Sequence, residues 1–291
     1  MKNNSLYTQK KNHKDFFLKA IINISALITV VTLIGIIAYI LINGLPHVSW
    51  KFISTGYSEN NPNLKGILPM IINTFYIVII TLLIATPLGV ACAIYLTQYA
   101  KQGRLVKTIR FATEVLSGIP SIIFGLFGYT VFCIMFRLGT SILAGCLTMT
   151  MCILPTIIRT TEEALMSVPS SYKEGALALG AGKLKIIMGI VLPSAMPGVL
   201  TALVLAMGRI VGESAALLYT SGMAYNMSSN VFDKITSSGR TLTLHLYQVA
   251  KQANTPNAFN IAFATAAVLL ILVFILNMVA NLVSKVFNKN G

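Results

Sequence analysis

The sequence predicts an all-α, polytopic membrane protein of six transmembrane helices, and three observations carry that prediction. Of the 291 residues, 55% are hydrophobic and only 10% are charged, whereas a soluble domain carries about 25% charged residues. The apolar residues are gathered into long runs, each reaching the about 20 residues that a helix needs to cross the hydrocarbon core. The lysines and arginines stand beside those runs, where they orient spans in a bilayer. The net charge of +14 therefore has an explanation without nucleic acid, since no basic stripe is interleaved with aromatics on a soluble stretch.

Residues 1–15 form a polar, basic tail holding Lys2, Lys10, Lys11 and Lys14, and a region of recurring apolar runs, 16–284, follows. The run at 16–42 is too long for a signal-peptide core and no small-residue cleavage site follows it, so it reads as a retained first span. The polar segment 43–66 holds Trp50 and the turn residues Gly56, Asn60, Asn61 and Pro62. Further spans are expected at 67–96, 111–136, 138–158, 194–219 and 259–283, with a cytoplasmic loop at 159–193, an outer loop at 221–258 and a tail at 285–291. Only Arg137, Leu138 and Gly139 part the third span from the fourth. Gly118, Gly125 and Gly128 suit close helix packing in the third. In the outer loop, Leu242, Leu246 and Val249 share a helical face, which predicts a short interfacial helix.

Orientation follows from the basic residues. With both termini in the cytoplasm, the inside segments hold fifteen lysines and arginines and the outside segments six, the bias expected of a cell-membrane protein with that topology. The four cysteines fall in apolar runs without a C-x-x-C pair, and His13, His47 and His245 are scattered. No disulfide framework, metal site or cofactor is expected.

Between the fourth and fifth spans lies EGALALGAGKLKIIMGIVLP, Glu174 to Pro193, with Lys173, Glu174, Lys183 and Lys185. Charge at mid-bilayer costs about 2.5–3.5 kcal/mol per residue on the mildest scale, so this stretch lies on a membrane face, within reach of a soluble partner. Ser171 and Glu174 are spaced as a capping box, Gly180 and Gly182 loosen the middle, and Pro193 marks the return to the membrane. Glu174, Gly175, Ala176, Gly180, Ile190, Leu192 and Pro193 fill the pattern E-A-A, three residues, G, nine residues, I-x-L-P. That spacing resembles the cytoplasmic loop of ABC-importer permeases, with Gly175 in place of the first alanine. The resemblance implies the type I ABC importer (MetI-like) fold and a coupling helix that docks on an ATPase through Glu174, Gly175, Ala176, Gly180 and Pro193.

Two ionisable residues sit inside the fifth span. Arg209 and Glu213 are four apart, hence on one face of a continuous helix. They are either a mutually neutralising pair or an anion station, in which the planar guanidinium donates paired hydrogen bonds to an oxyanion and the carboxylate holds it. The surrounding GRIVGESAALLYTSG, together with SGIPSIIFGLFG and GLPHVSW, resembles the phosphate-specific ABC permeases from Gly44 onward. The residues after Glu213 favour one of the two subunits of that permease pair. The resemblance implies a path for inorganic phosphate, with Arg159 near its exit. It implies pairing with the homologous permease PstC, docking on a PstB ATPase dimer, and delivery of phosphate by the binding protein PstS. Read without the resemblance, Arg159 anchors a helix end, Thr160 and Glu163 make a second capping box, and Glu114 pairs with Arg110. GALALGAGK is no P-loop, because Leu177 stands where the first glycine belongs and Leu184 where Ser or Thr belongs. No ATPase or other catalytic site is expected. Permeases for sulfate or molybdate, and an ion-coupled secondary transporter, are the competing functions, although the internal repeats common in the last class are not seen.

Overall fold

The computed structural model describes residues 13–58, 65–101, 103–225, 230–252 and 256–289. The turn residues Asn60, Asn61 and Pro62 lie outside them. The first run forms α1 (His13–Gly44), followed by a short turn and α2 (Trp50–Ser54). The hydroxyl of Ser49 caps α2 by accepting from the Phe52 amide at 3.1 Å. The second run forms α3 (Leu68–Ile94), prolonged by a π turn at Tyr95–Tyr99. Then come α4 (Arg104–Gly118), α5 (Ser121–Gly128) with a π extension at Tyr129–Met135, and α6 (Ile142–Met166), which Ser141 caps. A short α7 (Ser170–Ala178) precedes α8 (Lys183–Ile186), which continues without a break through a π turn into α9 (Leu192–Gly212). Three short helices follow, α10 (Ala215–Thr220), α11 (Val231–Thr236) and α12 (Leu242–Lys251), and α13 (Pro256–Lys289) closes the chain.

Among the described residues, five helices are long and apolar enough to cross a bilayer. The expected third span at 111–136 is not one helix. It breaks at Ile119 and Pro120, and the two limbs, Arg104–Gly118 and Ser121–Met135, meet at 101°. Proline lacks an amide hydrogen and drives the residue before it out of the helical region. Ile119 accordingly takes φ −72°, ψ 131°. The bent pair counts as the sixth span only when both limbs are taken together. The fourth span starts later than expected and runs on to Met166, so Thr160 is inside a helix and caps nothing. The fifth starts earlier, at Lys183. Pro193 therefore lies within a continuous helix, at a π-to-α joint that tolerates its missing amide. The narrow boundary after the third span is a tight turn with two left-handed residues, Arg137 at φ 57° and Gly139 at φ 60°.

The bundle is built around α6. Its membrane window is 67% buried while that of α1 is 0% buried, so α6 is the axis and α1 the rim. Ile77 of α3, Met149 and Ile153 of α6, Ile210 of α9 and Leu217 of α10 form the central cluster. Lipid tails are as apolar as these side chains, so close packing rather than water exclusion holds spans together. Glycine permits it. A Cβ on Gly125 would lie 2.9 Å from the Ala216 Cα, and one on Gly128 would run into Thr148. Gly118 meets nothing within 4 Å and only ends α4.

Two smaller clusters define the two ends. At the Trp50 end, Phe52, Ile67, Met70 and Leu242 pack against Ala264 and Val268 of α13. Hydrogen bonds stitch the segment before α12 to two spans: Asn73 donates to the Arg240 carbonyl at 3.1 Å, and the Ile142 amide to the Ser237 carbonyl at 3.0 Å. The expected interfacial helix is α12, capped by the Thr241 hydroxyl. It is not a surface helix, because Leu244 and His245 are buried along with Leu242 and Val249. At the Glu174 end, Leu165, Val168, Ala176, Ile186, Val191 and Ala195 pack α7 and α8 beneath α6 and α9.

Filling the close contact between α5 and α10 should be costly. Gly125→Val is expected to destabilise the detergent-solubilised protein by about 1–3 kcal/mol, the usual cost of overpacking, read as a lowered melting temperature. Gly118→Ala should leave it unchanged.

Candidate functional site

Arg209 occupies the last turn of α9, where the negative end of the helix dipole favours a cation. It is half-buried; its Nη1 makes a long hydrogen bond to the Thr156 hydroxyl of α6 at 3.4 Å, and the Cys152 thiol of α6 is also within its hydrogen-bonding reach. The expected pair with Glu213 is not formed. Gly212 ends α9, Glu213 is extended at φ −78°, ψ 127°, and the four-residue helical register is lost. The Glu213 carboxylate instead accepts from the Ala216 amide at 3.2 Å and caps α10. A glycine followed by Glu-Ser-Ala carried that signal in the sequence, as a helix stop and a new start. Arg209 thus stands in a span with no carboxylate within ion-pair distance among the described residues.

Arg159 is three residues beyond Thr156 on α6 and shares a face with it. It is not at a helix end; its side chain is 62% exposed and meets Glu163 at 3.4 Å. Both line a cleft of about 300 Å³ at the Glu174 end, with Arg110, Thr113, Glu114 and Glu162. Arg110 makes a longer-range pair across the fold: its Nε donates to Glu162 Oε1 at 2.7 Å. Glu162 is only 8% exposed. This ion pair ties the bent-off helix α4 to α6. It was invisible in the sequence because its members are 52 residues apart.

The stretch expected to dock, Glu174 to Pro193, runs from α7 through a turn into α8 and α9 rather than forming one helix. Pro169, not Ser171, occupies the N-cap of α7, and no side chain caps it. Gly180 takes φ +79°, a left-handed turn that glycine alone adopts freely, which explains a glycine at this place in the pattern. Ala176 is buried against the bundle while Glu174, Gly175, Gly180 and Pro193 are exposed. The sequence reading missed the apolar part of this surface: Tyr172, Leu177, Leu179 and Leu184 are 53%, 59%, 90% and 66% exposed. Ringed by Lys173, Glu174, Lys183 and Lys185, they cannot be covered by lipid tails.

The chain matches the family Binding-protein-dependent transport system inner membrane component over residues 85–290, and it belongs to that family. It is thus a membrane-embedded, non-catalytic permease component of an ABC-type transport system. It is 37% identical over 273 residues to the probable ABC transporter permease protein YqgI of Bacillus subtilis (strain 168), covering 91% of this chain and 92% of that one. It is 33% identical over 274 residues to the phosphate transport system permease protein PstA of Haemophilus influenzae, covering 94% of each. The chain is PstA-like. Its fold is that of a bacterial alginate ABC transporter chain, with a TM-score of 0.68 at 16% identity over 95% of this chain and 96% of that one.

The Arg110–Glu162 pair should matter to stability. Arg110→Ala strands a buried carboxylate, but the arginine is itself 39% exposed, so a loss of about 2 kcal/mol is expected, below the about 3–5 kcal/mol of a fully buried pair. The reciprocal swap Arg110→Glu with Glu162→Arg should recover part of it in thermal melts.

Proposed function

We propose that the chain is the PstA-type permease subunit of an ATP-driven importer of inorganic phosphate. The observation that carries this reading is Arg209, a half-buried guanidinium inside the bundle with no ion pair among the described residues. An intramembrane charge kept without a counter-charge marks a substrate or ion path, and a guanidinium suits a phosphate oxyanion. The PstA-named relative supports phosphate over sulfate or molybdate. Arg159, on the same strip of α6, extends the cationic path toward the Glu174 end.

In this reading both termini and the Glu174 end are cytoplasmic, and the Trp50 end faces outward. The cytoplasmic tail covers residues 1–15, the permease domain 16–284 and the second tail 285–291. The exposed apolar residues of α7 and α8, with Glu174 beside them, dock on the PstB ATPase dimer. PstC supplies the other half of the path and PstS delivers phosphate from outside. ATP binding shifts the two-state equilibrium only because the ATPase holds α7 differently in its open and closed forms. Arg209 donates to the anion as it passes. Release is easy because the site offers no second strong ligand.

ATP-dependent phosphate uptake by the reconstituted importer tests the assignment. Arg209→Gln should lower kcat/KM about 10–100-fold, the worth of a charge-assisted hydrogen bond. Glu213→Gln should retain assembly and most transport, because its amide oxygen still caps α10. Sulfate uptake with no phosphate uptake by the wild type would overturn the substrate, and full activity of Arg209→Gln would overturn its role.

Orientation has its own test. In a cysteine-free background, a thiol at position 230 should react with an impermeant reagent from outside, and one at position 178 only after permeabilisation. Outside labelling at 178 would reverse the topology and remove the ATPase dock.

A further inference from the structure

Lys234 is a buried lysine without an acidic partner. It lies on α11 and is only 6% exposed. Its ammonium stands 5.4 Å from the centroid of the Tyr76 ring of α3, and among the described residues it makes no ion pair. The neighbouring Asp233 is no substitute, because its carboxylate accepts from Asn230 at 3.1 Å on an exposed surface. Burial pushes the Lys234 ammonium below the usual lysine range. A protein that desolvates a cation without an anion at hand holds it at a cost.

Its position gives that cost a use. Directly after α11, the Ser237 carbonyl accepts from the Ile142 amide at the start of α6. Tyr76 belongs to α3, which packs along α6 in the central cluster. Thr156, the partner of Arg209, lies further along the same α6. At about 1.5 Å per helical residue the two levels are about 21 Å apart. Beside the α6 axis there is therefore one cation without an ion pair at the Trp50 end, Lys234 on α11, and another near the middle, Arg209 on α9. The ring face that holds Lys234 is a weak partner, which an oxyanion accepting charge-assisted hydrogen bonds outbids.

We propose that Lys234 is an anion-binding station at the Trp50 end of the path, where an arriving oxyanion displaces the Tyr76 ring before reaching Arg209. This rests on the reading of the chain as an oxyanion importer. The ligand is a small oxyanion that presents at least two oxygens, inorganic phosphate being the probe.

The test uses the assembled importer in proteoliposomes. Acetylation of Lys234, followed by mass spectrometry on the wild type, should slow when inorganic phosphate is added and not when chloride is added at the same ionic strength. Lys234→Gln should raise the KM for uptake about tenfold with assembly and ATP hydrolysis intact, and Lys234→Arg should restore it. An acetylation rate indifferent to phosphate overturns the station, as does an unchanged KM in Lys234→Gln. Equal loss of assembly in the Gln and Arg variants with an unprotected Lys234 would make the lysine a structural prop and also overturn it. Protection by both phosphate and sulfate, in a wild type that transports only sulfate, would sustain the station while sinking phosphate as the substrate.

Discussion

A charge in hydrocarbon must find a partner, a watery path or a way out, and the arrangement of this molecule follows from how each charged side chain meets that demand. The charged helix α4 leaves the span at Pro120 and turns through 101°. Lys173, Glu174, Lys183 and Lys185 sit where the chain folds back at one end of the bundle. Glu162, buried at that end, is held by Arg110. Glu213 is placed at the start of α10, whose amide it accepts from. Arg209, half-buried in a span, and Lys234, buried on α11, make no ion pair among the described residues.

The helix breaks are where this geometry is made. Proline ends α4, Gly212 ends α9, Gly180 separates α7 from α8, and three π turns absorb register changes within or at the ends of spans. Each frees backbone groups that a membrane will not solvate, so neighbours must satisfy them or the break must lie at an interface. A contiguous set of contacts results. The segment carrying α7 is joined directly to α6; α6 holds α4 through Arg110 and Glu162; α4 leads through Pro120 into α5; and α5 packs by Gly125 on α10, which begins with the Glu213 cap.

Some of this was legible in the sequence and some was not, for reasons that differ by residue. Charges excluded from apolar runs placed α7 at one end of the bundle, where it packs with α8 beneath α6 and α9. Gly125 and Gly128 were legible as packing residues. The bend at Pro120 was missed because hydropathy alone joins 111–136 into one run. The Arg209–Glu213 pair was misjudged because four-residue spacing guarantees proximity only while the helix continues, and Gly212 stops it.

The sequence by itself determined the class: composition, run length and basic flanks demand a multi-span helical protein, since only helices with internally satisfied backbones can carry such runs through a bilayer. It also determined where glycine was needed, because φ +79° at Gly180 is a local property of the chain. Tertiary structure alone decided the partners. Arg110 with Glu162, Arg209 with Thr156 and Lys234 with Tyr76 join residues of separate helices. Which charge finds an acidic partner and which does not depends on how the helices cross, and no local spacing encodes that.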